Sequence, residues 1–92
     1  MNRQRLHVFY SGHVQGVGFR YTVRNVAQGY EVVGLVRNLL DGRVELIAEG
    51  EPAELEAFRQ AIRESGLVPH IRHEEVHREP AQGGLSGFVI AS

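Results

Sequence analysis

Leu6-His7-Val8-Phe9-Tyr10-Ser11-Gly12-His13-Val14-Gln15-Gly16-Val17-Gly18-Phe19-Arg20 changes its pattern twice within a short run. Leu6, Val8 and Tyr10 alternate with His7, Phe9 and Ser11, and this period of two, rich in β-branched and aromatic residues, predicts a strand. The glycines at 12, 16 and 18 would weaken any regular element, so the next segment is expected to be a loop. Beyond it Phe19, Val23, Val26, Ala27 and Tyr30 recur at the spacing of one helical face, with Gly29 as the expected C-terminal cap.

Working outward, Tyr30 to Asn38 is apolar and β-branched, Asp41-Gly42 follows, and Val44, Leu46 and Ala48 alternate again, which predicts a β-hairpin. Pro52 suits the first turn of a second helix, with Glu51 and Glu54 at its positive end and Leu55, Phe58, Ala61 and Ile62 as its buried stripe. Ser65-Gly66 is expected to end it. Val68 to Glu79 is extended and charged, with Pro69 at its start and Pro80 after its end, and is expected to form an edge-like fourth strand. A Gly83-Gly84 turn then leads to Phe88-Val89-Ile90, a short closing strand. The order strand, helix, strand, strand, helix, strand predicts an α+β fold, a ferredoxin-like βαββαβ sandwich with two helices on one face of a mostly antiparallel sheet. That fold hosts unrelated functions, so function has to be read from a site.

The 92 residues carry 10 Lys+Arg and 11 Asp+Glu, a formal charge of −1. This balance gives no general electrostatic grip on nucleic acid or anionic lipid, so neither is expected as a partner. A chain of this length buries only about 60 to 65% of its unfolded surface, so its apolar residues must be concentrated into one two-layer core, expected to form a single domain over residues 1–92. Without cysteine there are no disulfides, thiolate nucleophiles or Cys-based zinc sites. The polar start and the lack of an 18-residue apolar run lead to the expectation of a cytoplasmic protein.

Gln15-Gly16-Val17-Gly18-Phe19-Arg20 lies where the first strand hands over to the first helix. Unsatisfied backbone N–H groups and the positive helix end converge there and attract anions. Glycines let successive N–H groups face one concavity, and an arginine just inside the helix offers a planar fork matched to phosphate oxygens. The loop matches neither common nucleotide-binding glycine motif, and the chain has no lysine. The same residues also suit a tight turn with Arg20 in a surface ion pair, and spacing alone leaves both readings open.

Two long blocks carry a more specific signal. Gly12-His13-Val14-Gln15-Gly16-Val17-Gly18-Phe19-Arg20, followed by Gly34-Leu35-Val36-Arg37-Asn38-Leu39-Leu40-Asp41-Gly42-Arg43-Val44-Glu45, closely resembles the two signature blocks of the acylphosphatase family, with Ala48-Glu49-Gly50 and Ser86-Gly87-Phe88 extending the likeness over essentially the whole chain. The resemblance implies hydrolysis of a small acyl phosphate to a carboxylate and inorganic phosphate, without metal or organic cofactor. It implies that Arg20 binds the phosphate, that Gln15, Gly16, Val17, Gly18 and Phe19 supply backbone donors, and that Asn38 orients the attacking water. On pattern alone Asn38 would be read as a turn residue before the hairpin. Leu35 stands where many relatives have tryptophan and Leu40 where proline is frequent; both bear on packing and hairpin rigidity.

Other features attract attention without carrying chemistry. His70, His73 and His77 would share a helical face, but Pro69 and the β-like surroundings break it, so no metal site is expected. His13 is expected to be peripheral, and Asp41 to be half of the Asp-Gly turn and not a base. Phe9, Tyr10, Phe19 and Tyr21 lack the basic-aromatic strand motif of RNA-recognition domains. The rivals to a monomeric hydrolase are a non-catalytic anion-binding or interaction module of the same fold and a domain serving a larger carbamoyl-transfer assembly. The presence of both Arg20 and Asn38 counts against the first, and the chain's end at Ser92 is taken to count against the second.

Overall fold

The computed structural model describes residues 2–92. Its elements are β1 (Gln4–Gly12), α1 (Phe19–Ala27), β2 (Val32–Asn38), β3 (Val44–Gly50), α2 (Pro52–Ile62), β4 (Ile71–Pro80) and β5 (Phe88–Ile90). The five strands form one sheet in the order β4-β1-β3-β2-β5. β1 runs antiparallel to β3 and β4, β2 antiparallel to β3, and β5 parallel to β2. This is the expected ferredoxin-like sandwich, with the closing strand adding a parallel edge.

The alternation read in the sequence decides which sheet face is covered. Leu6, Val8 and Tyr10 of β1 and Val44, Leu46 and Ala48 of β3 are buried together with Phe19 and Val23 of α1 and Leu55, Phe58 and Ile62 of α2. Both helices thus pack on the same face and close one core. The opposite face carries Arg5 and His7 of β1 and Glu45 and Glu49 of β3. Arg5 meets Glu49 at 2.7 Å, and His7 meets Glu45 at 2.7 Å. No helix among the described residues is long and apolar enough to cross a membrane.

Two local expectations change, at the end of α1 and the start of β4. α1 ends at Ala27 with Gln28 as a right-handed cap, not at a left-handed Gly29, because Gly29 and Tyr30 donate back to the carbonyls of Val26 and Ala27 at 3.0 and 3.1 Å and satisfy the helix end directly. The fourth strand begins at Ile71, not Val68. Gly66 at φ 93° kinks the chain within the turn Arg63–Leu67, Leu67 is buried, and Val68–His70 form a 3₁₀ turn whose early position accepts Pro69. The β2–β3 connection is a three-residue loop, Leu40 to Gly42, in which only Gly42 is left-handed, at φ 94°.

Candidate active site

β1 and β2 end at the same edge of the sheet. Tyr10 of β1 pairs with Val44 of β3, and Val44 pairs in turn with Asn38 of β2. The glycine loop leaves just beyond this row. Two apolar anchors hold its ends: Val14 is wholly buried, and Phe19 is 2% exposed with its ring centroid 4.9 Å from that of Tyr10. Between them Gly16, Val17 and Gly18 lie at the surface.

Gly18 is the N-cap of α1 and adopts φ 77°, ψ 17°, a left-handed geometry that glycine reaches without a Cβ clash. Among the described residues no side chain caps this helix start, and its first turn contains no acidic residue. The first helical bond is Thr22 N–H to the Gly18 carbonyl, at 3.0 Å. Among the described residues, no backbone carbonyl accepts from the N–H groups of residues 15–20. Loop residues with open donors and the positive helix end therefore adjoin the same space.

That space is a cavity of about 240 Å³ lined by Val14, Gly16, Gly18, Phe19, Arg20 and Tyr21. A water molecule occupies about 30 Å³ of liquid, so the cavity has room for a phosphate ion. Arg20 lines it half-buried; among the described residues Arg3, Arg20, Arg24 and Arg72 have no ion-pair partner, and of these four Arg20 is the one at this cavity, whereas Arg5, Arg37, Arg43, Arg59, Arg63 and Arg78 are paired with carboxylates. Arg20 is thus not held in the surface ion pair that the loop spacing had left open.

Asn38 ends β2 on the helix-facing side of the sheet, in register with buried Val44, and its Oδ1 is buried without a hydrogen-bond partner among the described residues. A buried, unpaired amide oxygen is costly, and a functional site is one common reason for keeping one. Asn38 does not line the loop cavity itself. The link between them is Gln15, whose Nε2 donates to the carbonyls of Leu39 at 2.8 Å and Arg43 at 2.9 Å.

The structure therefore gathers Gly16, Gly18, Phe19 and Arg20 around one cavity, leaves Val17 at 38% exposure beside it, and turns the Gln15 side chain toward the hairpin. Val14 and Tyr21 also line the cavity, which the sequence reading did not anticipate. Val14 had a signal, an apolar residue inside a glycine loop; Tyr21 had none beyond its place after Arg20. His13 is exposed, and the expected metal-free triplet is dispersed: His70 sits in the 3₁₀ turn while His73 and His77 lie along β4.

A family model described as Acylphosphatase matches residues 6–90. An acylphosphatase of Roseiflexus sp. is 54% identical over 90 residues, covering 98% of this chain and 97% of that protein. The crystal structure of acylphosphatase from Bacillus subtilis superposes with a TM-score of 0.87 at 32% identity, covering 97% of this chain and 99% of that one. Full-length HypF in its phosphate- and nucleotide-bound form matches 98% of this chain with only 12% of its own, at a TM-score of 0.81 and 30% identity.

Proposed function

The chain belongs to the acylphosphatase family of hydrolases, and from that premise we propose how its own residues cleave the carboxyl-phosphate bond of a small acyl phosphate. Arg20 and the backbone N–H groups of Gln15 to Phe19 bind the phosphoryl oxygens. Asn38 orients a water in line with the scissile bond. The water oxygen attacks phosphorus as the bond to the acyl oxygen breaks, the carboxylate leaves with the bonding pair, and the water's proton passes to a phosphoryl oxygen or to solvent.

Such chemistry suits a site with few titratable groups. The leaving carboxylate has a conjugate-acid pKa of about 4, so no general acid has to protonate it at neutral pH. The transition state is loose, with charge spread over the phosphoryl oxygens, and positioning with electrostatic stabilisation supplies most of the catalysis. A guanidinium and aligned amides match that charge. An asparagine amide donates and accepts hydrogen bonds without competing as a nucleophile. The reaction as proposed routes no step through a metal or organic cofactor.

The observation that carries this reading is Arg20, unpaired among the described residues and lining a cavity at an uncapped helix start. The proposal extends to a monomer acting in the cytoplasm as one domain over residues 1–92; a chain without cysteine is compatible with a reducing compartment. The test is phosphate release from acetyl phosphate with and without chelator, beside a phosphate monoester. Chelator-resistant cleavage of the anhydride alone is expected. Phosphate binding with cleavage of neither compound would instead make the site a binding module.

A further inference from the structure

The Gln15 amide reaches across 24 and 28 positions of sequence to the Leu39 and Arg43 carbonyls. Those two residues also close the hairpin, since the Leu39 N–H donates to the Arg43 carbonyl at 2.8 Å. Asn38 comes immediately before this neck. Because both partners are carbonyl oxygens, the amide nitrogen has to face them, and its two N–H bonds lie in one plane. Bridging two carbonyls from one planar group fixes the hairpin against both translation and rotation relative to the glycine loop.

The loop's other anchors, Val14 and Phe19, fix it to the core. Neither touches the turn through a directional bond, so the Gln15 amide is the polar strut between the phosphate-facing loop and the strand end that carries Asn38. We infer that Gln15 is a positioning residue, whose side chain sets where the Asn38 amide stands relative to the phosphoryl group on Arg20. This rests on the roles given above to Arg20 and Asn38. It assigns the Gln15 side chain a task separate from its backbone donor: it serves the water, not the phosphate. A misplacement of about 1 Å in a reacting group costs up to roughly a hundredfold in rate, so a strut of this kind should be visible in kcat.

Gln15→Met keeps the length of the side chain and removes both donors. For acetyl phosphate, kcat should fall about ten- to hundredfold, while the inhibition constant of inorganic phosphate stays within about twofold. In an Asn38→Ala background the same substitution should have little further effect, because no amide remains to be misplaced. Should Gln15→Met fail to fold, Gln15→Asn, polar but one methylene too short to bridge, is read in the same way. Unchanged kcat, a loss of phosphate affinity in step with kcat, or an undiminished loss in the Asn38→Ala background overturns the inference. If Asn38→Ala alone leaves kcat unchanged, the role of Asn38 falls and takes the strut with it. If Asn38→Ala lowers kcat and Gln15→Met does not, only the strut falls.

Discussion

Gly34 of β2 lies so close to Ile47 of β3 that a Cβ at position 34 would stand 2.0 Å from the Ile47 carbonyl oxygen. The glycine that opens the second signature block is thus required by strand packing. Gly34→Ala should destabilise the fold by about 3 kcal/mol, the upper end of the usual cost of overpacking. Chemical denaturation should show a lower midpoint, while the kcat of the folded fraction stays near that of the parent. An unchanged midpoint would mean that the strands separate here without cost.

Glu49 is 2% exposed and holds the connection that carries the chain from β4 at one edge to β5 at the other. It accepts the N–H groups of Gln82 at 2.8 Å and Gly83 at 3.1 Å, and pairs with Arg5. Burial pushes its carboxyl up, but the Gln82 N–H, the Arg5 guanidinium and the Gly83 N–H outweigh that and hold it below the usual carboxylate range. A lowered folded value means that the stabilisation is complete above the unfolded value, about 4.3 for glutamate, and is lost as pH falls through the lower folded value. Glu49→Gln should cost about 2 kcal/mol at neutral pH, the scale of hydrogen bonds to a charged group. Its stability should also fall less steeply than the parent's on acidification below about pH 4, measured by denaturation at several pH values. Parallel acid profiles would exclude Glu49 as a source of the pH dependence.

No histidine enters the proposed reaction, although His13 lies inside the glycine loop. It is exposed and does not line the cavity. His13→Ala should leave kcat within about threefold of the parent, with a pH dependence of kcat that superposes on the parent's. A step present in the parent and missing in His13→Ala would make this imidazole a proton carrier.

Arg20→Lys separates charge from shape. Lysine keeps a cation but loses the planar fork, so phosphate inhibition should weaken by about tenfold, with the residual binding more sensitive to added salt. Equal affinity in the two proteins would show that a point charge suffices.

Much of the fold was legible because local patterns and tertiary burial agree. The alternation of Leu6, Val8 and Tyr10 marks the buried face of β1, and the stripe from Phe19 to Ala27 marks that of α1. The start of β4 was not legible, since the kink at Gly66 and the turn around Pro69 depend on how Leu67 is drawn into the core. Glu45 and Glu49 read as solvent-facing residues of an alternating strand, yet both are buried by partners distant in sequence. Residue chemistry alone offered the loop and Arg20 both as an anion cradle and as a tight turn with a surface ion pair. Asn38 could be singled out only through the likeness of its block to a family, because an asparagine before a turn is ordinary until its unpaired oxygen is seen.

The division of labour between Arg20 and Asn38 is tested most directly by measuring, on the same two variants, turnover of acetyl phosphate and inhibition by inorganic phosphate. Arg20→Ala should lose both together. Asn38→Ala should lose about a hundredfold or more in kcat while phosphate still inhibits at close to the parent concentration. Near-parent turnover in Arg20→Ala, or phosphate inhibition lost along with kcat in Asn38→Ala, would contradict the account.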